Sequence, residues 1–294
     1  MTEKSRFPTY GGQAVIEGVM MRGTHNVAIA MRNPNKDIIL HKEPLGALYK
    51  SNIIKIPFLR GLVMLWDALA LGTRALTLSA NAQTGEDEKI EGPLLYLTMF
   101  VSIGLAVGLF FLAPAAAGQL FERLLRVNSW WGNLLEGLVR LILLIGYIWA
   151  IGHIPDIQRV FAYHGAEHKT INAFEANAEL TPENVMRYSV EHPRCGTAFL
   201  LTLVLLSVLF FSLLGPLPFW WRMVSRILFL PFLASIAYEY IRWTANHLDF
   251  RLVRLLIKPN LALQHLTTRE PSQDMLEVSI AAFNAMREEE NIAA

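Results

Sequence analysis

The chain has 294 residues, 53% of them hydrophobic and 17% charged, with a formal net charge of +1. That balance excludes a strongly basic nucleic-acid binder and exceeds the roughly 45–50% apolar content of ordinary soluble domains. The apolar excess is gathered into a few segments, which points to a mainly α, polytopic membrane protein. The single cysteine, Cys195, excludes an intramolecular disulfide and fits a reducing compartment. Met1–Gly12 has no apolar core behind its basic residues, so no signal peptide is expected there.

In chain order, residues 1–57 read as a small β-containing region. The stretches His25–Arg32 and Asp37–His41, separated by the turn signal Asn33-Pro34-Asn35-Lys36, predict a β-hairpin. The run Gly11–Gly23 is bracketed by glycines and reads as a third strand, or as a loop whose backbone closely approaches another group. Residues 58–92 predict an interfacial amphipathic helix over 58–80 and then a charged linker. Arg60, Asp67 and Arg74 make one stripe on that helix and leave it a poor independent span.

Four stretches carry the roughly 20 apolar residues needed to cross a hydrocarbon core. They are Leu94–Leu112, Leu134–Gly152, Thr197–Leu214 and Met223–Ile241, and they form two hairpins over 93–152 and 197–241. Ser129-Trp130-Trp131 and Phe219-Trp220-Trp221 mark the hairpin tips as interfacial anchors. Lys and Arg concentrate before, between and after the hairpins. The N-terminus, the segment 153–196 and the tail 242–294 are therefore expected on the cytoplasmic side of the cell membrane. Within the second span Glu136 and Arg140 stand one helical turn apart and are expected to pair.

The segment 153–196 carries the best case for chemistry. A helix is expected from Ile157 to about Asn177, and it contains His164-Gly165-Ala166-Glu167-His168. His164 and His168 share a helix face, and H-x-x-E-H is the inverted zinc-protease motif with Glu167 as general base. Thr181-Pro182 caps a second short helix to about Val190. A third metal ligand must come from another element, in the order His192, Cys195, then Glu239, with His247 and Asp249 behind them. The plain alternative makes the histidines hydrogen-bond to backbone or headgroups, Glu167 and Lys169 surface charges, Cys195 a packing residue, and Glu239 a partner of Arg242 or Arg226. In the tail, Ser272 caps a helix over Gln273–Glu288.

Four separated motifs resemble one family. Gly11–Gly23, Tyr163–Lys169, His192-Pro193-Arg194-Cys195-Gly196-Thr197 and Leu266-Thr267-Thr268-Arg269-Glu270-Pro271 look like those of the YqhQ-like bacterial membrane proteins, described as predicted metal-dependent enzymes. The resemblance implies a divalent metal such as zinc and adds Glu17 and Arg194, which lie within its motifs, to the candidate residues.

The leading expectation is thus a metal-dependent membrane hydrolase. His164 and His168, with His192 or Cys195, hold the ion, and Glu167 takes a proton from the attacking water. Its partners are the bilayer and a membrane-protein or lipid substrate, with no nucleic acid; a homo-oligomer is left open. The alternative is an assembly or scaffold factor docking a partner such as membrane-insertion machinery. A transporter subunit comes third, since the spans offer few ionisable residues and no clearly broken helix pair.

Overall fold

A computed structural model describes residues 10–46, 52–84 and 92–293. The leader of the chain and most of the charged linker after residue 84 lie outside the described residues. Four strands, β1 (Gly11–Val15), β2 (Gly18–Arg22), β3 (Asn26–Arg32) and β4 (Ile38–Pro44), form one antiparallel meander in the order β1-β2-β3-β4. The glycine-bracketed run is therefore a strand pair, turning at Ile16–Glu17 with Glu17 at φ 52°.

The central strands are buried on both faces, and the period of two assigns each face a partner. Val27, Ile29 and Met31 of β3 and Met20 of β2 pack with Leu71, Ala75, Leu78 and Ala82 of α1 (Leu59–Gln83). Ala28, Ala30, Val19 and Met21 face α5 (Pro155–Glu175) and α11 (Gln273–Ala293). The alanines permit close approach of α11, whose Met275, Leu276, Phe283 and Met286 complete that core.

The glycines serve the same packing. A Cβ on Gly12 would stand 2.6 Å from the Met20 carbonyl and 2.9 Å from Cδ of Glu167, and one on Gly165 would stand 2.1 Å from the Arg269 carbonyl. Gly165→Ala is therefore expected to lower stability by about 1–3 kcal/mol through forced separation of α5 from the Arg269 turn. Thermal melting of the purified variant checks this; an unchanged midpoint would rule out the close contact.

The apolar helices follow. Helix α2 (Pro93–Val107), a π-helical turn (Gly108–Leu112) and α3 (Ala113–Leu125) run on as one helix that contains the stretch Leu95–Leu125; α4 is Ser129–Ile151. The short α6 (Pro182–Val185) precedes α7 (Gly196–Leu213), then α8 (Phe219–Leu228), α9 (Leu230–Asn246) and α10 (Arg251–Thr267). Four helical stretches are long and apolar enough to cross a membrane: α1, Leu95–Leu125, α4 and α7. Helices α8 and α9, bent by 42°, would together make a fifth.

Three differences from expectation have physical causes. Residues 114–125 continue as helix rather than loop, because alanines and leucines carry the helix through Pro114 at its first turn. The expected span Met223–Ile241 is broken at Phe229, where Pro231 cannot donate to the preceding turn. The short helix after Thr181 ends at Val185, and residues 186–195 are irregular. Helix α1 meets the length and hydropathy of a span, yet from Met64 onward it lies along the sheet. Arg22 reaches the Met64 sulfur, the Ile16 amide donates to Ser79 Oγ at 3.2 Å, and Gln83 donates to the Arg32 carbonyl at 2.7 Å. Its stripe is engaged at both ends, Arg60 with Glu239 and Arg74 with Glu43.

Candidate metal centre

Helix α5 leaves the end of α4 after three residues and carries two working faces. One faces the sheet, through Tyr163, Ala166 and Glu167. The other holds the irregular segment 186–191 by its carbonyls. Lys169 Nζ donates to Met186 and Tyr188 at 2.8 and 2.6 Å, Asn172 Nδ2 to Ser189 and Glu191 at 2.9 Å each, and His168 Nδ1 to Val190 at 2.5 Å. A segment without its own ladder must place these groups somewhere, and α5 supplies the donors. The segment therefore ends in a fixed position, with Cys195 as N-cap of α7.

A carbonyl can only accept, so each hydrogen bond fixes a histidine tautomer. His168 Nδ1 carries the proton and leaves Nε2 as a lone pair; that atom is buried and without a partner. His164 Nδ1 donates to the Thr267 carbonyl at 2.9 Å, and its Nε2 stands 3.2 Å from Cys195 Sγ. The ligand atoms of His164, His168 and Cys195 all lie within 4.8 Å of one another. Histidine lone pairs backed by Nδ1–H bonds to main-chain carbonyls are the arrangement that orients imidazoles toward a metal. Two nitrogens and a thiolate suit zinc. The residues present therefore fit the ion.

His192 lies beside this trio, its ring 5.7 Å from that of His168. Gln264 clamps its backbone, accepting from its amide and donating to its carbonyl, both at 2.9 Å. Its Nε2 is buried, makes no hydrogen bond and faces Glu175 at 3.7 Å. Burial holds the imidazole below its usual pKa, so the ring is neutral. Glu175 and Arg194 form an ion pair, so the helix geometry that separates Glu175 from His168 directs it to the His192 turn.

Glu167 is 5% exposed, Lys169 3% and His168 1%, which excludes the surface-charge alternative. Burial pushes the Glu167 carboxyl up to about 7, offset in part by His164 and by the Gly12 amide that donates to it. Its Oε2 is buried and without a partner. The other candidates fall elsewhere. Glu239 is tied to Arg60 and the Phe58 amide, not to Arg242 or Arg226, and is no part of the trio. Glu17 holds Arg159 in a bidentate pair at 2.5 Å. His247 bonds the Trp243 carbonyl at 2.8 Å and joins no histidine cluster among the described residues.

The site needs residues beyond the H-x-x-E-H pattern, in ways spacing did not reveal. Lys169, Asn172, Gln264 and Thr267 build it without touching the ligand position. Only Lys169 and Thr267 stood within motifs that could have marked them.

This constellation draws on all four motifs: Gly12 against Glu167, the α5 histidines, Cys195, and the Thr267–Glu270 turn. The sequence matches the profile of a family described as "Protein of unknown function (DUF1385)" over residues 56–289. The chain belongs to that family. It is also 37% identical over 294 residues to "Uncharacterized protein YqhQ" of Bacillus subtilis (strain 168), covering 95% of this chain and 92% of that protein. No solved structure matches it. The YqhQ-like resemblance thus holds along nearly the whole chain.

Proposed function

We propose that this protein is an integral membrane, zinc-dependent hydrolase whose site lies at the cytoplasmic membrane surface. One observation carries the chemistry: two histidine lone pairs of fixed tautomer and a thiol converge where His168 and Cys195 are buried and His164 half-buried, beside a buried carboxylate with an unpartnered oxygen. His164, His168 and Cys195 would hold the ion, and His192, its ring 5.7 Å from that of His168, lies beside them. Bound there, zinc would supply Lewis-acid activation of water and of a scissile carbonyl or phosphoryl oxygen. The Thr267 and Val190 carbonyls fix the Nδ1–H tautomers and aim both Nε2 atoms. Glu167, with its raised carboxyl pKa, suits the acceptance of a proton near neutral pH.

The membrane setting rests on an inverted surface. Arg140, Arg226 and Glu136 are each 1% exposed, while Trp220, Phe100 and Leu213 are 76%, 78% and 86% exposed. Such a surface suits hydrocarbon rather than water. The sheet that covers α1 also argues that α1 lies at the interface, since open strand edges are not stable in lipid. Cys195 caps α7 and α5 follows α4, so the ligand set sits where the apolar helices end. A membrane-embedded peptide or a lipid is the substrate class that this address suits.

The test is metal content of detergent-purified protein by mass spectrometry. About one zinc per chain is expected, with Cys195 becoming reactive to a thiol reagent once a chelator removes it. Metal-free protein with an equally unreactive thiol before and after zinc addition would overturn the reading.

Helix α2 favours a second reading, assembly with a partner. None of the apolar window of Leu95–Leu125 is buried, and Gly104 and Gly108 stand open. A crosslinked membrane-protein partner captured at stoichiometric yield from metal-stripped and zinc-loaded protein alike would favour a scaffold.

A further inference from the structure

Helix α10 shows three distinct flanks. Val253, Ile257, Asn260 and Gln264 recur at helical spacing on the buried side, where Asn260 donates to Thr202 of α7. Leu252, Leu255 and Leu256 are 66%, 59% and 43% exposed on a second flank, continuing from Phe250. Arg251, Arg254 and Lys258, three and then four residues apart, occupy the third and are all exposed.

The helix contains no Asp or Glu from Arg251 to Thr267. Among the described residues, none of the three cations is paired with a carboxylate, although Asp249 lies just before the helix. His265, on the same basic flank, is already paired with Glu191 at 2.7 Å. An apolar flank beside an unpaired basic one, on a helix anchored along its third side, fits a single environment. The leucines lie among acyl chains and the cations at the level of the phosphates.

We propose that α10 is a docking helix for anionic phospholipid, with Arg251, Arg254 and Lys258 gripping headgroup phosphates. The proposal rests on the membrane reading above and adds a lipid class to it. It also links the lipid surface to the candidate metal centre. The last turn of the same helix supplies the Thr267 carbonyl that orients His164 and the Gln264 amide that clamps His192. Lipid engagement therefore fixes the element on which both histidines depend.

Full-length protein in neutral detergent, titrated with phosphatidylglycerol or phosphatidylcholine and read by native mass spectrometry, tests this. Wild type is expected to retain phosphatidylglycerol about tenfold or more over phosphatidylcholine, from three cations near the headgroup plane. The combined Arg251→Gln, Arg254→Gln, Lys258→Gln variant should lose that preference, and Arg123→Gln, a cation on α3, should keep it. Raised salt should weaken the preference of wild type, which needs no variant to fold. Equal retention of the two lipids by wild type, or an undiminished preference in the triple variant, would overturn the proposal. Carbonate extraction of membranes separates the two readings. Release of the protein defeats the membrane assignment, whereas a retained protein with no lipid preference defeats the docking helix alone.

Discussion

Replacing His168 by glutamine is expected to reduce zinc affinity by about three orders of magnitude. Zinc held by protein ligands in small domains is worth about 10–16 kcal/mol, so one ligand in three accounts for roughly 4 kcal/mol, or about a thousandfold. The effect should fall on the ion rather than on the fold, because the Gln amide can still donate toward the Val190 carbonyl that His168 Nδ1 now serves. Melting curves separate the two contributions. In chelator, wild type and variant should unfold at similar temperatures. With zinc at a hundred times the wild-type Kd, only wild type should gain about 2.7 kcal/mol. Stoichiometric zinc in the purified variant would remove His168 from the ligand set. A matching loss in His192→Gln would instead bring His192 into it.

The sequence displayed this trio unevenly, for reasons that lie in the individual residues. His164 and His168 were legible because a helix of fixed pitch puts positions one turn apart on one face. Cys195 was legible only as a candidate, since its approach depends on how the irregular segment 186–195 is held, and that depends on Lys169 and Asn172 binding main-chain carbonyls. Carbonyls have no sequence signature. For the same reason Thr267, which contributes its main chain to His164, could be marked only as part of a motif. Period-two burial made β3 readable, whereas the return of α1 across the sheet rests on long-range contacts such as Gln13 beside Gly72. Glu136 and Arg140 were expected as a local pair. The addition of Arg222 and Arg226 came from the break at Phe229, which turns the short α8 so that its arginines point inward and its tryptophans outward.

That larger cluster should respond strongly to a single change, Glu136→Gln. One carboxylate serves three guanidinium groups: Oε1 accepts from Arg140 and Arg226 at 2.8 Å each, and Oε2 from Arg226 at 2.6 Å and Arg222 at 3.4 Å. Further support comes from neutral acceptors, Asn133 Oδ1, Ser207 Oγ and the Phe110 carbonyl in the π-helical turn. Glutamine keeps the shape but removes the charge, leaving Glu122, paired with Arg222, as the cluster's other carboxylate. An uncompensated buried charge of this kind costs about 3–5 kcal/mol. For a chain of this size that is expected to lower the melting temperature by roughly 10 °C. Glu122→Gln provides the contrast. Its side chain is 15% exposed and, among the described residues, its one ion pair is with Arg222, so its effect should be well under half as large. Equal shifts for the two variants would mean that the cluster shares its charge evenly. A shift confined to Glu136→Gln would identify that carboxylate as the junction binding α8 to α4.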